Sequence, residues 1–160
     1  MLEIKISVKS VPGDLGFNDY MILFHKGRAL FYSECSTAPD DPACPQIDDG
    51  QYSFQYVRFG GVIVLNDNAF VRTRRPNPAQ KNQYLMQGCT IHAARKNPPY
   101  GERGSMGCIT IPVSKAERFF KIIDDLNISD GVIEICQNLE QPQSADFPGA
   151  MKTCKLCSMR

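Results

Sequence analysis

His92 and Cys108 are the residues of this chain best placed to do chemistry. A histidine stands at the end of one predicted strand, in Ile91-His92-Ala93-Ala94, and a cysteine opens the next, in Gly104-Ser105-Met106-Gly107-Cys108-Ile109-Thr110-Ile111. A free thiol is mostly protonated at neutral pH. An imidazole that takes its proton leaves a thiolate–imidazolium pair, a competent nucleophile. Gly107 lets the backbone turn so that N–H groups face a carbonyl oxygen, as an oxyanion hole requires. Ser105 can hydrogen-bond across the same turn and hold its shape. The chain has only two histidines; the other, His25, falls in a predicted hairpin turn, which makes His92 the better base. The pair also reads without chemistry, with Cys108 a small buried hydrophobe ahead of Ile109 and Ile111 and His92 a satisfied strand-end residue.

The elements that must position this pair are mostly strands. Apolar and polar residues alternate over residues 2–8, and again over 20–24 and 29–32 around His25-Lys26-Gly27-Arg28, which reads as a hairpin. Residues 35–44 are rich in Asp, Pro and Ser and read as a loop. A turn at Ile47-Asp48-Asp49-Gly50 leads into 51–58, where Tyr52, Phe54 and Tyr56 alternate. Gly60-Gly61 opens 62–65, an apolar run suited to a strand buried on both faces. Residues 72–83, with two prolines and no apolar period, read as a loop. Strands are expected at 84–92, 108–111 and 131–136. Between the last two, Ser114 and Glu117 have the spacing of a capping box. Ala116, Phe119, Phe120, Ile123 and Leu126 then make one apolar helical face.

Composition sets the frame. With 160 residues the chain is one domain large enough to bury a core without metal or disulfide staples. It is read as a domain over 1–136 with an extension over 137–160 that carries Cys154-Lys155-Leu156-Cys157. A net charge of +1 lacks the basic excess of a nucleic-acid protein. No apolar run is long enough to insert in a membrane, and residues 1–8 read as a strand and not as a signal peptide.

The arrangement His92 … Ser105-Met106-Gly107-Cys108-Ile109 resembles the signature of the L,D-transpeptidase catalytic domain, the YkuD type. That signature runs from a histidine through a loop to Ser/Thr-His-Gly-Cys and an aliphatic residue. Ile47-Asp48-Asp49-Gly50-Gln51-Tyr52-Ser53-Phe54 resembles the family's turn-and-strand block, with Asp48 where proline is usual, and Cys35-Ser36-Thr37 matches a small-residue stretch upstream of it. The likeness spans residues 35–111 and looks closest to compact members, among them injected effectors and phage-encoded wall enzymes. It implies a mainly β fold with one or two helices, an L,D-transpeptidase-like sandwich or barrel. It implies attack on the bond between the L-centre of meso-diaminopimelate and D-alanine in a peptidoglycan tetrapeptide, through an acyl-enzyme passed to an amine or to water. Carried over, Cys108 is the nucleophile, His92 the base, Gly107 part of the oxyanion site and Ser105 the motif's Ser/Thr. No cofactor or metal is called for. Partners would be peptidoglycan stem peptides, joined by an immunity or delivery protein if the chain is an effector.

The sequence departs from the pattern at three positions. Met106 stands where histidine is usual, Thr110 where arginine or asparagine is common, and Ala93 where glycine or serine follows the base. These changes remove a polar group beside the thiolate and a cation beside the site, so an inactive peptidoglycan-binding or structural module of the same fold is the alternative reading. Arg95 and Arg103, in the His–Cys connection, are the candidates to grip a substrate carboxylate. Tyr84 and Tyr100 can wall a pocket. Arg72, Arg74, Arg75 and Lys81 form either a patch for anionic wall polymer or a solvated loop.

Seven cysteines leave at least one thiol outside any intramolecular pairing. If Cys108 is the free one, Cys35 with Cys44, Cys154 with Cys157 and Cys89 with Cys136 are the pairs expected. An oxidised scaffold would suit a periplasmic or secreted enzyme that travels by a signal-independent route; a cytoplasmic protein, with a structural zinc on Cys154 and Cys157 to which Cys35 and Cys44 could contribute, is the other expectation.

Overall fold

The computed structural model describes residues 1–14, 16–58, 60–94 and 108–137. Its strands are β1 (Leu2–Val8), β2 (Asp19–His25), β3 (Arg28–Cys35), β4 (Gly50–Val57), β5 (Val62–Leu65), β6 (Phe70–Asn77), β7 (Gln83–Gln87), β8 (Thr90–Ala93), β9 (Ile109–Ile111) and β10 (Asp130–Gln137), with one helix, α1 (Val113–Leu126). The mainly β expectation with a single helix holds.

Eight strands form one sheet in the order β3-β2-β1-β10-β4-β5-β8-β9, and β6 and β7 pair apart as a hairpin. The sheet curls until its ends nearly meet. Ser36, the residue after β3, donates its N–H to the Thr110 carbonyl at 2.9 Å and accepts the Thr110 N–H at 2.9 Å. The result is an almost closed barrel. Alternation decides which face is inside: Leu2, Ile4, Ile6 and Val8 of β1 join Met21 and Leu23, Tyr52, Phe54 and Tyr56, Ile63 and Leu65, Ile91, Ile109 and Ile111, and Ile133 and Ile135 in one core.

α1 crosses the curve of this sheet. Phe119 lies 5.4 Å from Phe31 of β3, and Phe120 stacks 5.7 Å from Tyr56 of β4. Those strands are four places apart in the sheet, so the helix spans between them. Complete burial of Phe119 stabilises the fold by about 2–3 kcal/mol.

Four local expectations are corrected. Of the expected loop 72–83, residues 72–77 belong to β6, where Val71 and Thr73 are buried and alternate with Arg72 and Arg74, a period carried largely by polar residues, and only 78–82 turn the chain. The run 84–92 is two strands, because Gly88, at φ 77, breaks it and sends β7 to the hairpin and β8 to the barrel. β5 is buried on one face only, with Val62 and Val64 half-buried. Ser114 does not cap the helix. Pro112 (φ −53) already turns the chain, its carbonyl accepts from the Lys115 and Ala116 N–H groups, and Ser114 stands inside the first turn.

The barrel seam is pinned by a buried polar cluster. Asp19, fully buried, accepts from Lys9 N (2.7 Å), Ser10 N (2.8 Å), Ser10 Oγ (2.6 Å), Thr37 N (2.8 Å) and Thr37 Oγ1 (2.8 Å). Gln46 Nε2 donates to Thr37 Oγ1 at 2.7 Å. A carboxylate so surrounded has its lone pairs satisfied inside the protein. It fixes the start of the 36–47 segment, hence the strand end that closes on β9.

Candidate active site

The geometry of the pair follows from strand register. β8 and β9 run parallel, with Ile91 opposite Ile109 and His92 opposite Thr110. Two residues back from that last pairing, Cys108 falls beside Thr90. Ile91 and Ile109 point into the core, so Thr90, His92 and Cys108 share the opposite face. This is why a histidine and a cysteine 16 positions apart in sequence become neighbours.

The contacts suit a nucleophile. His92 Nδ1 lies 2.7 Å from the Ala93 carbonyl. A carbonyl only accepts, so Nδ1 carries the proton there and Nε2 keeps its lone pair for a base's work. The Cys108 thiol is hydrogen-bonded by His92, by the Thr90 backbone and by Thr90 Oγ1, the last at 3.3 Å. The Gly88 carbonyl lies 4.0 Å from the sulfur. Burial alone would raise this thiol; the hydrogen bonds from His92 and Thr90 and the charge of His92 outweigh it and bring the group down to about 7.

The other free thiols among the described residues go the opposite way. Cys35 is pushed up by burial and by the nearby Asp19 and Glu34, Cys44 by burial and Asp41, and Cys89 by burial and the neighbouring Cys108. Cys35, Cys44, Cys89 and Cys108 all keep their thiols, which overturns the expected pairs Cys35 with Cys44 and Cys89 with Cys136. Cys89 and Cys136 are both buried, and Cys136 is disulfide-bonded whereas Cys89 keeps its thiol. Cys154 and Cys157 lie outside the described residues.

The positions read as departures look different in the structure. At Ala93 the site uses a main-chain carbonyl, so the side chain there is immaterial to the contact with His92. Thr110 is fully buried beside the seam, with its hydroxyl lacking a hydrogen-bond partner among the described residues, so it does not stand where a substrate group would reach it. Tyr84 is 56% exposed toward the turn end of the hairpin, away from the end where Gly88 approaches Cys108. Ser105, Gly107, Arg95, Arg103, Tyr100 and Met106 lie outside the described residues.

The basic cluster has a structural use. Arg74 pairs with Asp49 at 2.5 Å and with Asp48 at 3.7 Å, Arg72 donates to the Asp49 carbonyl at 3.2 Å, and Arg75 donates to the carbonyls of Pro42 and Cys44. These arginines clasp the β6–β7 hairpin to the segment 42–50. Among the described residues no three His, Cys, Asp or Glu side chains converge as a metal site would need, and no helix is long and apolar enough to cross a membrane.

Thr90 is the site residue that sequence reading passed over. Its signal was present in the alternation, since period 2 places residue 90 on the face of His92. A lone threonine in a strand carries no motif, however. Compared with family models, curated proteins and solved structures, the chain matches none.

Proposed function

We propose that the protein is a cysteine-nucleophile acyl-transfer enzyme of the L,D-transpeptidase type, acting on peptidoglycan stem peptides. One observation carries the reading. Cys108 is hydrogen-bonded to His92 and lowered to about 7, while every other free thiol among the described residues is raised. Perturbation of one thiol, in that direction, by a base on the adjacent strand is what nucleophilic catalysis needs. The choice of peptidoglycan over other acyl donors comes from the motif resemblance around His92 and Cys108.

The steps are these. His92 Nε2 takes the Cys108 proton, and Sγ attacks the carbonyl carbon at the L-centre of diaminopimelate. The C–N bond to D-alanine breaks, and the departing amine takes the proton back from the imidazolium. The thioester left on Cys108 is then attacked by an amine or a water that His92 deprotonates, which frees the thiol.

The test is incubation with a disaccharide-tetrapeptide, read by mass spectrometry for loss, exchange or dimerisation at the terminal D-alanine. Product from the wild type and none from Cys108→Ala is the expected result. Saturable muropeptide binding without any product would instead favour the inactive binding module.

A further inference from the structure

We propose that Thr90 is a catalytic residue of this site, its hydroxyl donating to the Cys108 sulfur so as to hold the thiolate in line with His92 and favour its formation. The inference rests on Cys108 being the nucleophile, but not on the identity of the substrate.

Geometry carries it. Register places Thr90 beside Cys108 on the parallel strand, and Oγ1 reaches the sulfur at 3.3 Å. A thiolate has no proton to give, so in the reactive form the Thr90 O–H must be the donor. Because the Thr90 backbone also bonds the sulfur, one residue supplies two of its contacts. The branched Cβ restricts χ1, and residue 90 is held in the sheet opposite Val64 of β5. The hydroxyl is therefore preset, with little reorganisation when charge develops.

The alternatives for this hydroxyl are poorer. The Gly88 carbonyl, at 4.0 Å from the sulfur, can accept from the protonated thiol but only repels the thiolate. Thr90 and Gly88 thus oppose each other across one atom, the first favouring the charged form and the second the neutral one. Among the described residues His92, on the same strand as Thr90, is the titratable group that lowers this thiol, while Cys108 in turn raises the thiol of Cys89, just before that strand. His92 supplies the proton acceptor. Thr90 supplies an uncharged donor that stays in place whichever way the proton has moved.

The role separates from a packing role by pH. The rate of alkylation of Cys108 by iodoacetamide, followed on the Cys108 peptide by mass spectrometry between pH 5 and 10 on the folded protein, reports its thiolate directly. Thr90→Val keeps the branched shape and removes the donor; its inflection should rise by about one pH unit, while Thr90→Ser stays near the wild type. Thr90→Ala repeats the comparison without a second methyl group, should the valine variant fold badly. An inflection unmoved in Thr90→Val or Thr90→Ala overturns the proposal. So does an equal shift in Thr90→Ser, which would assign the effect to the lost methyl contact. A wild type that turns over no muropeptide would end the peptidoglycan reading yet leave this profile standing; an unmoved profile would end the role of Thr90 with turnover intact.

Discussion

At the residue scale, one histidine and one cysteine become a hydrogen-bonded pair, with a carbonyl beside the imidazole and two further donors from Thr90 on the sulfur. The balance is visible in its parts: burial opposes the charge, and His92 is the largest contribution that favours it. Removing His92 should leave burial opposed only by the two Thr90 contacts. In His92→Gln the alkylation inflection of Cys108 is expected to move from about 7 to above the ordinary thiol value of 9.0. The rate at pH 7 should then fall by roughly 50-fold or more, following the lost thiolate. The sign follows from the proton: thiolate is present above the lowered value and is lost as pH falls through it, so the wild type stops reacting below about pH 6. Cys35 and Cys89, buried and raised, should remain unalkylated over the same range in the folded protein. An inflection unchanged in His92→Gln would show that the histidine does not act on the thiol. His92 and Cys108 were legible in the sequence because histidine is scarce and the flanking glycines mark a turn. Thr90 was not, since what makes it part of the site is the pairing of β8 with β9.

At the element scale, the strands with strong apolar alternation read correctly, β1, β4 and β10 most clearly. The errors share a cause. β6 buries Val71 and Thr73 but presents arginines between them, so apolar periodicity alone misses it. Gly88 divides β7 from β8 although the residues around it look continuous, because a left-handed backbone conformation and not composition ends the first strand. Pro112 starts α1 before Ser114 can cap it. The seam between β3 and β9 also belongs to this scale, and its stability depends on Asp19. Replacing this residue with alanine strands two hydroxyl groups and three backbone N–H groups that now donate to it. Asp19→Ala should cost about 3 kcal/mol or more, seen as a lower urea midpoint at constant m. Asp19→Asn, which keeps an accepting oxygen, should cost less. A midpoint unchanged in both variants would mean that the cluster does not hold the seam.

At the scale of the whole molecule, the β-rich architecture was legible in the sequence and the topology was not. Parallel pairing of β1 with β10 joins residues more than a hundred positions apart, and no local pattern announces it. The same holds for β8 and β9, whose register decides that Cys108 meets Thr90 and His92. Cysteine counting required only that at least one thiol stay outside a pairing; the expected pairs Cys35 with Cys44 and Cys89 with Cys136 gave way to four thiols and a disulfide-bonded Cys136. What the barrel accomplishes is to bring the Cys108 thiol, the His92 imidazole and the Thr90 hydroxyl together on the face opposite Ile91 and Ile109. The most direct measurement of whether that arrangement is an acyl-transfer site is intact-protein mass spectrometry after exposure to a tetrapeptide stem or a carbapenem. The account predicts a covalent adduct on the Cys108 peptide of the wild type, retained in Cys44→Ala and absent from Cys108→Ala. A wild type that forms no adduct and releases no D-alanine, or an adduct that persists in Cys108→Ala, would contradict it.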